Sequence, residues 1–272
     1  MRALIVSAIL LLCLAHTAAA AFEELELGTE CRAMGGTGVV TPGIAGMLWN
    51  PAAVSFETHA KAMAAGRMPY GNSDFVTAGA DIALPLSRGW VVGGGARLFG
   101  GDLYSEQMVH VTASRLLTDD FSVGIQPLFC RASISDGVSS YGSSWTADMT
   151  VGLQARVFDR WSVGAALRNP FEARIGESGE HLVSRMDIGV RYEPLPGMAS
   201  AFAVSRDFQS TAVRVGQALP LGPLTLFAGV RSGPAVVTGG LSADVSGVLF
   251  SYAVETHPQL NATHQAGVGY AF

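Results

Sequence analysis

Ser144 to Arg160 reads SWTADMTVGLQARVFDR, and its odd and even positions behave as two different sequences. Trp145, Ala147, Met149, Val151, Leu153, Ala155 and Val157 are apolar, while Thr146, Asp148, Thr150, Gly152, Gln154 and Arg156 are small or polar. A period of two sustained over thirteen positions is the pattern of a β-strand with two unlike faces. A tilted strand needs roughly nine to eleven residues to cross a bilayer, so this one is long enough to span.

The alternation recurs downstream. Trp161, Val163, Ala165 and Leu167 oppose Ser162, Gly164, Ala166 and Arg168; Leu182, Met186, Ile188, Val190 and Tyr192 oppose Arg185, Asp187, Gly189 and Arg191; Leu224, Leu226, Ala228 and Val230 oppose Thr225, Phe227, Gly229 and Arg231. A water-soluble barrel would turn the apolar face inward and present Gly and Arg to solvent with few carboxylates or lysines. Lipid outside fits better. Strands are expected near 58–67, 74–84, 90–99, 106–117, 121–132, 145–157, 161–169, 182–192, 198–206, 210–218, 224–231, 235–243, 247–255 and 262–272. The pattern predicts an all-β fold, a transmembrane antiparallel β-barrel of about fourteen strands. Twelve is the alternative, because the first strand and those near 106 and 235 alternate weakly.

Composition agrees. Charged residues make up 14% of the chain, against about 25% in soluble proteins, and 33 of 272 residues are Gly. Residues 1–20, MRALIVSAILLLCLAHTAAA, have the cation, apolar run and small-residue end of a secretory signal, with cleavage near Ala20 or Ala21. Beyond them no run of eighteen strongly apolar residues exists, which leaves no α-helical anchor. The remaining sixteen cations, of which only Lys61 is a lysine, face 22 anions; that net charge of −6 argues against nucleic acid as a partner.

The connections alternate too. PLSRG, LTDD, FDR, EPLPG, LPLGP and DVSG are short and rich in turn formers, as periplasmic turns are, while ASISDGVSSYGSS and PFEARIGESGEH are the longest segments of the opposite set and are expected to be outward loops. The chain ends with Ala266, Val268, Tyr270 and Phe272 alternating. An aromatic-terminated last strand resembles the signal read by the barrel-assembly machinery during insertion, which places the protein in the outer membrane of a diderm bacterium with outer-membrane lipid around it.

Cys31 to Phe56, CRAMGGTGVVTPGIAGMLWNPAAVSF, carries no charge after Arg32, yet its glycines with Pro42 and Pro51 exclude a membrane helix. RAMGGTG (32–38), together with LWNPAAV (48–54) before the first strand, resembles the FadL superfamily of outer-membrane proteins, and within it most closely the PorV/PorQ branch. The C-terminal FSYAVETHPQLNATHQAGVGYAF resembles that branch's last two strands. The resemblance implies a small N-terminal lumenal hatch at 21–57 and a barrel at 58–272. FadL-type members implicate a hydrophobic small-molecule ligand; PorV-type members implicate a secretion-system or envelope protein as partner.

Asn50, Pro51 and Ala52 read as a capped helix start that either folds the hatch or belongs to a gate. Gly35, Gly36 and Gly38 lack the Lys-Ser/Thr of a phosphate loop and read as close-packing positions. Arg97, Asp148, Arg156, Arg168, Arg185, Asp187, Arg191 and Arg214 share the polar parity, either as a lumen network of carboxylates and arginines or as an anion-favouring path. Cys31 and Cys130, the latter lumen-facing by parity, could pair in an oxidising periplasm. His59, His110, His181, His257 and His264 lack metal spacing, and no nucleophile motif appears, so neither an enzyme nor a metal or other cofactor is expected.

Overall fold

The computed structural model describes Phe22 and residues 25–101, 103–135, 140–176, 179–208 and 210–272; the expected signal at 1–20 lies outside them. Fourteen strands close an antiparallel barrel. They are β1 (Lys61–Met68), β2 (Thr77–Pro85), β3 (Trp90–Gly100), β4 (Tyr104–Thr118), β5 (Phe121–Ser135), β6 (Ser140–Val157), β7 (Trp161–Arg168), β10 (Arg185–Leu195), β11 (Met198–Asp207), β12 (Thr211–Leu221), β13 (Leu224–Arg231), β14 (Val236–Val245), β15 (Val248–Glu255) and β16 (Thr263–Ala271). Two short strands, β8 (Arg174–Ile175) and β9 (Glu180–His181), form a separate hairpin in the connection from β7 to β10. Each barrel strand pairs with its sequence neighbour, and β1 pairs with β16 from Lys61↔Ala271 to Met68↔His264. The main-chain nitrogen of Phe272 extends that seam to the carbonyl of Ala60 at 2.8 Å.

The opening stretch supplies β6 from Ser144 to its end at Val157 and the turn that follows, with Gly152 opposite Gly124 on β5 and Ala166 on β7. Its even residues Thr150, Gly152 and Gln154 are buried, while Leu153 on the odd side is exposed. The same division runs round the barrel, where Val109, Val111, Phe129, Ile188, Phe202, Leu226, Phe250 and Val268 are all exposed. An apolar exterior on every side needs lipid around it. Trp90, Trp161, Tyr192 and Tyr270 form an aromatic belt at the end carrying the short turns, with the Trp161 and Tyr192 rings 4.5 Å apart.

The three weakly patterned strands form β1, β4 and β14, so the number is fourteen and not twelve. Their patterns are faint because outward positions hold Ala62, Ala64 and Gly66 on β1, Gln107 on β4 and Gly239 on β14 in place of bulky apolar residues. Two local expectations need correction. ASISDGVSSYGSS is largely strand, since β5 runs to Ser135 and β6 begins at Ser140. Leu182 does not face lipid: its nitrogen donates to the Ala173 carbonyl at 2.9 Å and its carbonyl accepts from Asn169 Nδ2 at 2.9 Å, and its side chain is buried in the cluster that includes Ile175 and Cys130.

Candidate functional site

The lumen is occupied by the chain's own N-terminal segment. From Leu25 it runs through helix α1 (Thr29–Ala33) and three short 3-10 turns, Gly38–Val40, Ile44–Gly46 and Pro51–Phe56, to the start of β1. Leu25, Leu27, Met34, Val39, Val40, Met47, Trp49 and Val54 are buried. Irregular backbone satisfies few of its own polar groups, and a buried carbonyl left without a donor costs roughly 1–3 kcal/mol. Wall side chains supply the donors. Arg97 Nε donates to Leu25 O (3.2 Å), Gln265 Nε2 to Leu27 O (2.8 Å), Thr238 Oγ1 to Ala33 O (2.7 Å), Arg214 Nη1 to Gly36 O (3.0 Å), Gln126 Nε2 to Met47 O (3.3 Å) and Ser122 Oγ to Ala52 O (3.1 Å).

Glycines on the wall mark where this hatch touches. A Cβ on Gly216 would lie 2.4 Å from Met34 O, one on Gly164 2.2 Å from Val39 O, and one on Gly124 2.4 Å from Pro51 C. On the hatch side Gly35 and Gly36 adopt φ of 72° and 81°, which only glycine takes readily, and the Trp49 ring lies over Gly38. Asn50 ties three pieces together. Its Oδ1 accepts from Ala52 N at 3.0 Å and caps the turn that Pro51 opens, while Nδ2 donates to Val39 O at 2.8 Å and to Leu153 O on β6 at 2.9 Å.

A layer of ion pairs crosses the lumen. Glu26 Oε1 accepts from Arg185 Nη2 at 2.7 Å and Arg168 Nη1 at 3.0 Å, and Glu26 Oε2 lies 3.4 Å from Arg32 Nη2. Arg185 also holds Asp187 at 2.7 Å; Asp187 lies 3.7 Å from Arg214, and Asp148 lies 4.0 Å from Arg168. Arg32 leads on to Glu255 (3.9 Å), which Arg67 and Arg231 approach at 3.8 and 3.6 Å. Burial alone would raise the Glu26 carboxyl, but the three arginines outweigh it and hold its pKa at about 2. A second, smaller group joins Arg97, Asp81 and His110, with His110 Nε2 2.9 Å from Asp81 Oδ1.

Arg97, Asp148, Arg168, Arg185, Asp187 and Arg214 thus all stand in these two groups. Arg191 lies apart, 3.1 Å from Glu193 near the short-turn end of β10. Arg156 is exposed at the mouth, its guanidinium 4.0 Å from the centre of the Phe56 ring, because the last turn of the hatch rather than a carboxylate lies opposite it. Cys31 and Cys130 do not pair. Both are free: α1 packs on β13–β16 and puts the Cys31 thiol on the Ala45 carbonyl at 3.3 Å, whereas Cys130 on β5 packs among Leu25, Met108 and Leu128. Of the described histidines, His110 alone is buried; His59, His181 and His264 are exposed. The sequence reading missed Glu26, Arg32, Arg67, Asp81, His110, Arg231 and Glu255 as network members. Lumen parity would have found the five on strands, and Glu26 is the one described acid that enters this layer from the hatch.

No family model matches the chain, and no curated protein matches it. Among solved structures it resembles the CymD monoaromatic hydrocarbon channel at a TM-score of 0.70 and 15% identity, covering 93% of this chain and 99% of that one. The Ralstonia pickettii toluene transporter TbuX gives a TM-score of 0.69 at 14% identity, covering 92% and 99%. A Pseudomonas aeruginosa FadL homologue gives 0.59 at 10% identity, covering 90% and 96%. The fold is therefore the one these three structures share.

Proposed function

We propose that this chain is an outer-membrane channel for passive entry of small hydrophobic molecules, with the short-turn end in the periplasm and residues 1–20 removed on export. What carries the reading is a closed fourteen-strand barrel whose lumen is filled by a separate hatch, in a fold shared with hydrocarbon channels. A hydrophobic molecule does not cross a layer of buried ion pairs unaided, since charged groups favour neither its presence nor their own desolvation by it. Passage then requires the hatch to leave its place, which detaches Glu26 from Arg168 and Arg185.

The test is uptake of labelled toluene by cells carrying the protein, compared with cells carrying Glu26→Gln. Faster uptake than in barrel-free cells, raised further by the variant, supports the reading; uptake equal to the barrel-free control removes it. The motifs RAMGGTG and LWNPAAV favour a second reading, a PorV-like accessory that binds secretion or envelope proteins and conducts nothing. A stoichiometric protein partner in pull-downs from native outer membrane, with no uptake, would select that alternative.

A further inference from the structure

At the short-turn end a cavity of about 180 Å³ lies between the hatch and the wall formed by β15, β16 and β1. Its wall is thinned by Gly267 and Gly269, and Ile44, Met63 and Leu249 give it apolar surface. Three carboxylates border it, in different states. Glu57 is held by Lys61 Nζ at 2.7 Å and by Ile44 N at 3.0 Å, and Asp244 accepts from Gly247 N at 3.0 Å. Glu30 in α1 makes no ion pair among the described residues, although Ser242, Arg191 and Lys61 lie near enough to favour its charged form. Burial outweighs these influences and raises its carboxyl above the ordinary carboxylate range.

We propose that this cavity is a binding site for a monoaromatic molecule bearing one hydroxyl group, with the ring against Met63 and Leu249 and the hydroxyl on Glu30. The size fits: an engineered apolar cavity of about 150 Å³ takes up benzene. The chemistry selects the hydroxyl, because a bare hydrocarbon placed beside Glu30 leaves the carboxyl facing apolar surface, while a phenol supplies a donor and an acceptor. The site lies on the opposite side of the ion-pair layer from the Phe22–Leu25–Cys130 cluster, so it is loaded from the periplasm or filled by a molecule that has passed the hatch. The inference rests on the channel reading for the class of ligand.

The full chain in detergent micelles, labelled with ¹³C at its methionine methyl groups, tests the site with p-cresol and toluene as probes. Met63→Leu assigns the Met63 signal. The Met63 methyl is expected to shift saturably with p-cresol, with at least fivefold weaker response to toluene. Glu30→Leu removes that preference. Gly269→Leu fills the cavity and abolishes both responses; a Cβ at this position meets nothing closer than 3.6 Å, and heat-modifiable mobility on gels checks that the variant barrel folds. Equal response to the two probes in the wild-type protein, or a p-cresol response unchanged in Gly269→Leu, overturns the proposal. If the saturable Met63 shift is absent while toluene uptake persists, the site fails and the channel stands. If the shift is present and uptake is absent, the channel fails and the site stands.

Discussion

Glu26 of the hatch and Arg185 of β10 meet at 2.7 Å inside the lumen, with both side chains almost wholly removed from solvent. The pair joins two parts of the chain that are otherwise covalently linked only through β1 and the strands after it. Removing one partner of a buried pair leaves the other charge uncompensated, a cost of about 3–5 kcal/mol. Glu26→Gln is therefore expected to loosen the hatch while the barrel, held by its own ladder, keeps its heat-modifiable mobility on gels. Cys31 reports the loosening. Burial pushes its thiol up to about 12, so it is unreactive while α1 is docked, and its labelling rate in a Cys130→Ser background should rise at least tenfold.

Acid should act on the same contact. The folded pKa of Glu26 is lowered from 4.5 to about 2, so its stabilising contribution is complete above about 4.5 and disappears as pH falls from there through about 2. The contribution at neutral pH is on the order of 3 kcal/mol. Titrating Cys31 accessibility with 4,4′-dithiodipyridine, which reacts in acid, should show protection lost across that window. Glu26→Gln should flatten the profile.

Asn50→Ala removes a cap worth about 0.5–2 kcal/mol and two further bonds to Val39 and Leu153. The expected result is a folded barrel with a loosened 39–56 segment, seen as faster amide exchange there and not in β10–β13. Uniform exchange across both regions would show that the cap acts on the barrel as well.

Gly216→Val is expected to separate hatch from barrel more sharply. The new Cβ would fall 2.4 Å from the Met34 carbonyl, which is backbone and cannot swing aside, while the exterior of β12 is untouched. Cys31 should become reactive, and the heat-modified band should remain. An unreactive Cys31 in the folded variant would show that the hatch can shift to accept the side chain.

A chain starting at Ala21, unfolded in the absence of reductant, should take up two alkyl groups, one on Cys31 and one on Cys130. Incorporation of none would mean that the two thiols find each other despite lying against different walls.

The barrel was legible because each strand states its two environments residue by residue, and β6 states them over thirteen positions. Where the outward side chains shrink to Ala and Gly, as on β1, the signal fades although the strand does not. The interior was legible only in part. Parity identifies which arginines point inward, but not which carboxylate they meet, because Glu26 arrives from a segment with no period of its own. The fate of Arg156 had the same cause: what faces it is decided by where the hatch ends. The cysteine pair failed for the complementary reason, since parity gives the face of a strand and not which of fourteen strands α1 will lean on.

The seam between β1 and β16 sets an order of assembly. Helix α1 rests on β13–β16, and Gln265 on the final strand holds the Leu27 carbonyl at 2.8 Å, so the N-terminal segment finds its support only in the last strands of the barrel. Until the C-terminal strand arrives, the plug has no complete seat and β1 has an unpaired edge. Both are resolved by one event, the zipping of Lys61–Met68 against His264–Ala271. A chain truncated in its final strand would fail twice, open at the wall and unstoppered at the centre, which makes filled lumen and closed wall a single checkpoint.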